Sequence, residues 1–145
     1  STAYSITAEL PATNQHFLVG YDEKHMFISL LPKKVKTVAQ AHSVLIPKEV
    51  KGKKYIRQGE FFFLPLSADG IKKLVKNVDD THVHTELLKH DDTSDHMVDL
   101  WALNKDGKQF VMGSVEADRH KSLYLSNWHE VFVSNEIPGT DGSWD

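Results

Sequence analysis

Residues 97–134 read MVDLWALNKDGKQFVMGSVEADRHKSLYLSNWHEVFVS, and their pattern decides the fold. Lys105-Asp106-Gly107-Lys108 separates two runs in which apolar residues alternate with others. Asp-Gly accepts the positive φ that tight hairpin turns require. Met97–Leu103 and Gln109–Ala117 are therefore expected to pair as antiparallel strands. Beyond Asp118-Arg119-His120 the alternation resumes, and Ser122–Leu125 and Trp128–Ser134 are read as two further strands. An antiparallel meander is the architecture this implies.

Working upstream, HVHTELL at 82–88 adds a strand, His82–Leu88. Lys54–Gln58 and Glu60–Leu66 form another pair about Gly59, the second dense in Phe61, Phe62 and Phe63. Near the start, His16–Gly20 and His25–Leu31 flank the polar Tyr21–Lys24 as a hairpin. Two short helices interrupt the strands. Thr37 is placed to cap one running through Leu45, with Val38, Ala41, Val44 and Leu45 at helical spacing and Pro47 ending it. Ser67 or Asp69 starts the other, with Ile71, Leu74, Val75 and Val78 as its expected buried stripe. About eight short strands with two helices describe a mostly antiparallel α+β domain, built on a rolled sheet or a small barrel. No repeat or linker interrupts the chain, so residues 1–145 are read as one domain with a mobile tail at 136–145.

Composition sets outer bounds. The chain has 145 residues, 40% hydrophobic and 26% charged, which is ordinary for a folded domain. It has no cysteine, which excludes disulfides, thiol catalysis and Cys-ligated zinc; any metal must be held by His, Asp or Glu. No apolar run approaches the roughly twenty residues that span a bilayer, and residues 1–15 lack the features of a secretion signal. A soluble, cytoplasmic protein without membrane contact is the expectation. The net charge of −3 is unevenly spread: residues 33–76 hold eleven Lys/Arg against three acidic residues, a net +8, leaving −11 elsewhere. Such asymmetry suggests an anionic ligand or nucleic acid for the basic segment and a protein partner for the acidic face.

Histidine carries the chemistry on offer. Four of the nine histidines lie between His82 and His96, among Glu86, Asp91, Asp92 and Asp95. On a strand, His82, His84 and Glu86 share one face, a half-site for zinc or manganese or an acid–base pair. A further ligand is available from His90, Asp95, His96 or Asp99, although His90 to His96 read more readily as a charged loop. His82-x-His84-x10-Asp95 has the spacing of JAMM-type zinc peptidases, but Thr85 and Asp92 occupy places that hold Pro and Ser in that family. His120 in its turn and His129 on the last strand are the other catalytic candidates, expected to meet His84 at one end of a rolled sheet. Arg57, in Arg57-Gln58-Gly59-Glu60, has the planar fork that grips phosphate or carboxylate, and Lys54 is a second substrate-binding candidate. There is no Gly-rich phosphate loop, nucleophile elbow, HExxH or EF-hand loop.

RQGE followed by FFF and LP, the histidine-bearing strand, DRH and then WHEV together resemble uncharacterised small proteins of bacteria, plasmids and phages. The resemblance covers mainly residues 54–135. It points to a prokaryotic or phage origin and implies no activity. Two functions are consistent with these residues. One is a histidine-based, metal-assisted hydrolase of a phosphodiester or nucleotide, using His84, His120 and His129. The other is a non-catalytic structural or protein-interaction module that works through its acidic face.

Overall fold

The computed structural model describes residues 2–10, 15–22, 25–78, 83–88 and 95–136. The chain divides into two compact units, one formed by residues 1–51 with 134–145 and the other by residues 52–133.

In the first unit, β1 (Thr2–Leu10), β2 (Gln15–Asp22) and β3 (His25–Leu30) form an antiparallel sheet in that order. Helix α1 (Val38–Leu45) follows. Thr37 caps it as its sequence position requires, its hydroxyl oxygen accepting from the Gln40 N–H at 3.1 Å. Ala41 and Leu45 of the helix bury against Leu18, Leu31 and Val35. Asn135 closes the other end of α1: its backbone N–H donates to Leu45 O at 2.9 Å, and its side-chain amide donates to Val44 O and Ile46 O. These are carbonyls that a helix end leaves without a partner of its own.

The second unit is a six-stranded antiparallel sheet of β4 (Ile56–Gln58), β5 (Phe61–Pro65), β6 (Val83–Leu87), β7 (Met97–Leu103), β8 (Gln109–Ala117) and β9 (His120–Val133). Its spatial order is β4-β5-β9-β8-β7-β6. The β7–β8 turn forms where Asp106-Gly107 placed it. Gly107 has φ +79°, and Asn104 Oδ1 accepts from both Asp106 N–H and Lys108 N–H at 2.9 Å.

One face of this sheet buries Phe61, Phe63, Val98, Trp101, Val111, Val115, Leu125 and Val131 as a single cluster. The opposite face carries Ala102 and Phe110, which pack with Leu74 of helix α2 (Ala68–Asn77). Along α2, Leu74 is buried and Ile71 half-buried, whereas Val75 is 71% exposed. The buried stripe is therefore narrower than the apolar spacing suggested, because Val75 lies one helical step past Leu74 and turns out to solvent. Ser67 is the cap, its hydroxyl accepting from Gly70 N–H at 3.1 Å. Ser67→Ala should cost about 1 kcal/mol in urea denaturation, and an unchanged midpoint would show that α2 does not depend on its cap.

The α+β class and the antiparallel sheet stand as expected, but neither sheet closes into a barrel. The segments Ser122–Leu125 and Trp128–Ser134, expected as separate strands, belong to the single strand β9. Its partner β8 skips register between Val111 and Gly113 and again between Val115 and Ala117. The extra residues fall on β9, so Ser126-Asn127 is absorbed as a bulge rather than a turn. Residues 137–145, which hold most of the expected mobile tail, lie outside the described residues. Among the described residues no helix is long and apolar enough to cross a membrane.

Candidate functional site

Gly59 is the centre of the most distinctive polar cluster in the second unit. Gln58 pairs with Phe61 across β4 and β5, so Gly59-Glu60 is a two-residue hairpin loop. Gly59 has φ +58°, a conformation that a side chain disfavours. The loop is also crowded. A Cβ on Gly59 would sit 2.9 Å from His120 Nε2, 3.1 Å from His96 Cε1 and 3.2 Å from His96 Nε2.

Three turns of the chain bring these groups together. His96 stands just before β7, where its carbonyl accepts from Leu88 N–H and closes the β6–β7 connection. His120 opens β9, paired with Ala117 across the tight Asp118-Arg119 loop. Gln58 reaches across from β4: its side-chain amide donates to Val115 O at 3.2 Å and to Lys121 O at 2.8 Å.

His96 is wholly buried, and both of its ring nitrogens face polar atoms. Nδ1 lies 2.9 Å from Gln58 Oε1, and Nε2 lies 2.9 Å from Glu60 Oε1. Glu60 is only 7% exposed. The carboxylate of Asp95, which is exposed, is 3.7 Å from the same Nε2. Phe61 meets the His96 ring edge-on at 4.8 Å, and the half-buried His120 stacks on it at 5.7 Å with 24° between the planes. Buried charge and buried polar groups are tolerated only when paired this closely.

Arg57 completes the arrangement from the surface. Its Nε donates to Gly59 O at 2.8 Å, and its guanidinium lies over the Phe62 ring at 4.9 Å. Cross-strand pairing sets this contact, since Arg57 and Phe62 are direct partners in the β4–β5 ladder. The planar head is thereby held by one hydrogen bond and one aromatic face while the residue stays exposed. Lys54 is exposed in the segment leading into β4.

Of the residues singled out from sequence, Arg57, His96 and His120 each lie against Gly59, Arg57 at its carbonyl and the two imidazoles where a Cβ would be, whereas His84 and His129 stand elsewhere. His84, Trp101, Val111 and His129 occupy successive strands on one rung of the sheet. Three strand spacings, roughly 14 Å, separate the backbones of His84 and His129. His120 lies nine residues before His129 on the same strand. The expected meeting of His84, His120 and His129 at one end of the sheet does not occur in this register. His129 is buried and has a local task, its Nδ1 lying 2.6 Å from Asn127 O within the β9 bulge.

His82 lies outside the described residues. Glu86, half-buried on β6, accepts from the Leu87 N–H at 3.0 Å. Among the described residues no group of three or more His, Asp or Glu is arranged to hold a metal ion. The basic segment 33–76 is divided between the two units, with Lys33, Lys34, Lys36, Lys48 and Lys51 in the first and the remainder in the second.

Gln58, Gly59 and Glu60 are the members that sequence reasoning did not place in a site, and His96 was offered there only as a further metal ligand before being read with a charged loop. The RQGE tetrapeptide was a visible signal for those three. The burial of His96 had none, because it sits in an acidic stretch and its partners are residues 36 and 38 positions away. No protein-family profile, curated protein or solved structure matches this chain.

Proposed function

We propose that residues 52–133 form a histidine-based acid–base hydrolase acting on an anionic ester, a phosphodiester or nucleotide. The observation that carries this reading is that Arg57 and His120 both lie against Gly59, beside a buried imidazole whose nitrogens face Gln58 and Glu60 at 2.9 Å. In this reading His120 exchanges protons with the attacking water and the leaving oxygen, the role that imidazole fills near neutral pH. Arg57, fixed by Gly59 O and Phe62, turns its guanidinium to the anionic oxygens, with Lys54 adding charge nearby. His96, Glu60 and Gln58 are buried, and they support His120 without touching substrate.

Hydrolysis of bis(p-nitrophenyl) phosphate and of a panel of cyclic and linear nucleotides tests this. His120→Ala should lower turnover roughly a hundredfold, while Arg57→Ala should chiefly raise KM. Wild-type protein without turnover on any of these substrates, or a His120→Ala variant as active as wild type, would remove the reading.

One observation favours a second reading, a protein-interaction module. Leu87, Met97 and Glu116 form a continuous exposed row across β6, β7 and β8, apolar with an acidic end. Leu87 and Met97 are 40% and 43% exposed, and Tyr124 on β9 is 75% exposed. Here Met97→Asp would abolish capture of a partner and leave phosphodiester turnover untouched.

A further inference from the structure

We infer that Gln58 is a positioning residue that fixes the tautomer of His96, so that His96 and Glu60 hold a single shared proton beneath His120.

The argument begins with the amide. Gln58 Nε2 faces two backbone carbonyl oxygens, Val115 O and Lys121 O. Carbonyl oxygens only accept, so the group facing them must be the NH2 of the amide, and a flipped side chain would set oxygen against oxygen twice. Gln58 Oε1 is thereby turned toward His96 Nδ1 at 2.9 Å. An amide oxygen has no proton to give, so the hydrogen in that contact belongs to Nδ1. His96 therefore carries a hydrogen at Nδ1, and its Nε2 is what remains to face Glu60.

At the other nitrogen the separation is again 2.9 Å, with His96 at 0% and the Glu60 side chain at 9% exposure. A bare imidazole nitrogen and a bare carboxylate oxygen would present two lone pairs to each other in a place that water does not reach. One proton on either partner turns that repulsion into an attraction across the 2.9 Å contact. It resides on the imidazole as an ion pair or on the carboxyl as a neutral pair, and in both cases it is additional to the hydrogen on Nδ1. Phe61 covers one edge of this unit and the His120 ring covers a face.

Gln58 acts a second time through Lys121 O, because Lys121 is the residue after His120. One side chain therefore aims the buried imidazole and anchors the strand start from which His120 projects. Its bearing on catalysis rests on the acid–base reading above; the proton assignment does not.

The test is a long-range 1H–15N correlation spectrum of protein carrying 15N-labelled histidine, recorded on wild type and Gln58→Met. In wild type, His96 should give an Nδ1–H cross-peak protected from solvent exchange. A His96 protonated only at Nε2 would overturn the inference outright, and that result is available even if the variant fails to fold. In a folded Gln58→Met, of similar volume but unable to accept at Nδ1 or donate to the two carbonyls, the protected Nδ1–H peak should disappear or the tautomer should change. An unaltered His96 spectrum in that variant would overturn the positioning role. The expected spectra together with absent phosphodiester turnover would leave the proton assignment standing and remove only the hydrolase reading.

Discussion

Replacing His96 with leucine should destabilise the protein by about 3–5 kcal/mol, the largest single-residue effect expected in the second unit. The loss follows from what the substitution leaves behind. Glu60 stays buried, and its Oε1 loses the imidazole 2.9 Å away that compensates it. Gln58 Oε1 loses its partner at the same time, which adds the cost of a second buried acceptor without a hydrogen bond. Volume is a minor part, since leucine fills much of the space of an imidazole. Glu60→Gln should cost less, because an amide can still meet His96 Nε2 with the ring in its present place. The double variant His96→Leu with Glu60→Met removes both halves of the pair, and hydrophobic replacement of a buried pair is often close to neutral. Its cost should therefore fall well below the sum of the single changes, with a coupling of at least about 1–2 kcal/mol. Urea denaturation of the four proteins gives each quantity. A His96→Leu variant within about 1 kcal/mol of wild type would mean that this pair is not the structural centre of the unit.

How much of this could be read in advance depended on the range of the interactions involved. Turn chemistry and capping are local, so Asp106-Gly107 located the β7–β8 hairpin and Thr37 the start of α1. Alternation is also local, and it located β7 and β8. It misjudged β9, because Ser126-Asn127 looks like a turn within its own strand and is a bulge only by reference to the register of β8. Strand β1 went unread for a related reason: STAYSITAEL has strand-forming residues but no turn signal of its own, and its pairing partner lies across Pro11 to Asn14.

The candidate site divides in the same way. Arg57 and His120 stood out for their own chemistry, and each lies against Gly59. His84 and His129 stood out equally, yet the register that places them on one rung also keeps three strand spacings between them. His96 was set aside with its acidic neighbours. Its identity as the buried member comes from three long-range partners, Gln58, Glu60 and Phe61, none of which a local pattern can assign.

Gly59→Ala should cost about 2–5 kcal/mol, the second large effect, and its size separates two causes. The first is backbone strain: at φ +58° an alanine pays about 1–2 kcal/mol for the left-handed conformation. The second is crowding. The new methyl would lie 2.9 Å from His120 Nε2 and 3.1–3.2 Å from two atoms of His96, and displacing such packed groups adds about 1–3 kcal/mol. Gly107→Ala supplies the comparison, since Gly107 has φ +79° but nothing within 4 Å of its would-be Cβ. Strain acts at both positions, so the excess at Gly59 measures the imidazoles pressed against the loop. The histidines have little room to yield: His96 is wholly buried and fixed at Nδ1 by Gln58, and the strand start carrying His120 is held through Lys121 O. Gly59→Ala should therefore shift the His96 and His120 side-chain resonances as well as the denaturation midpoint, whereas Gly107→Ala should move the midpoint alone. Equal losses at the two glycines, with the histidine resonances unmoved, would show that His96 and His120 do not close on Gly59, and the site built around that residue would fall with them.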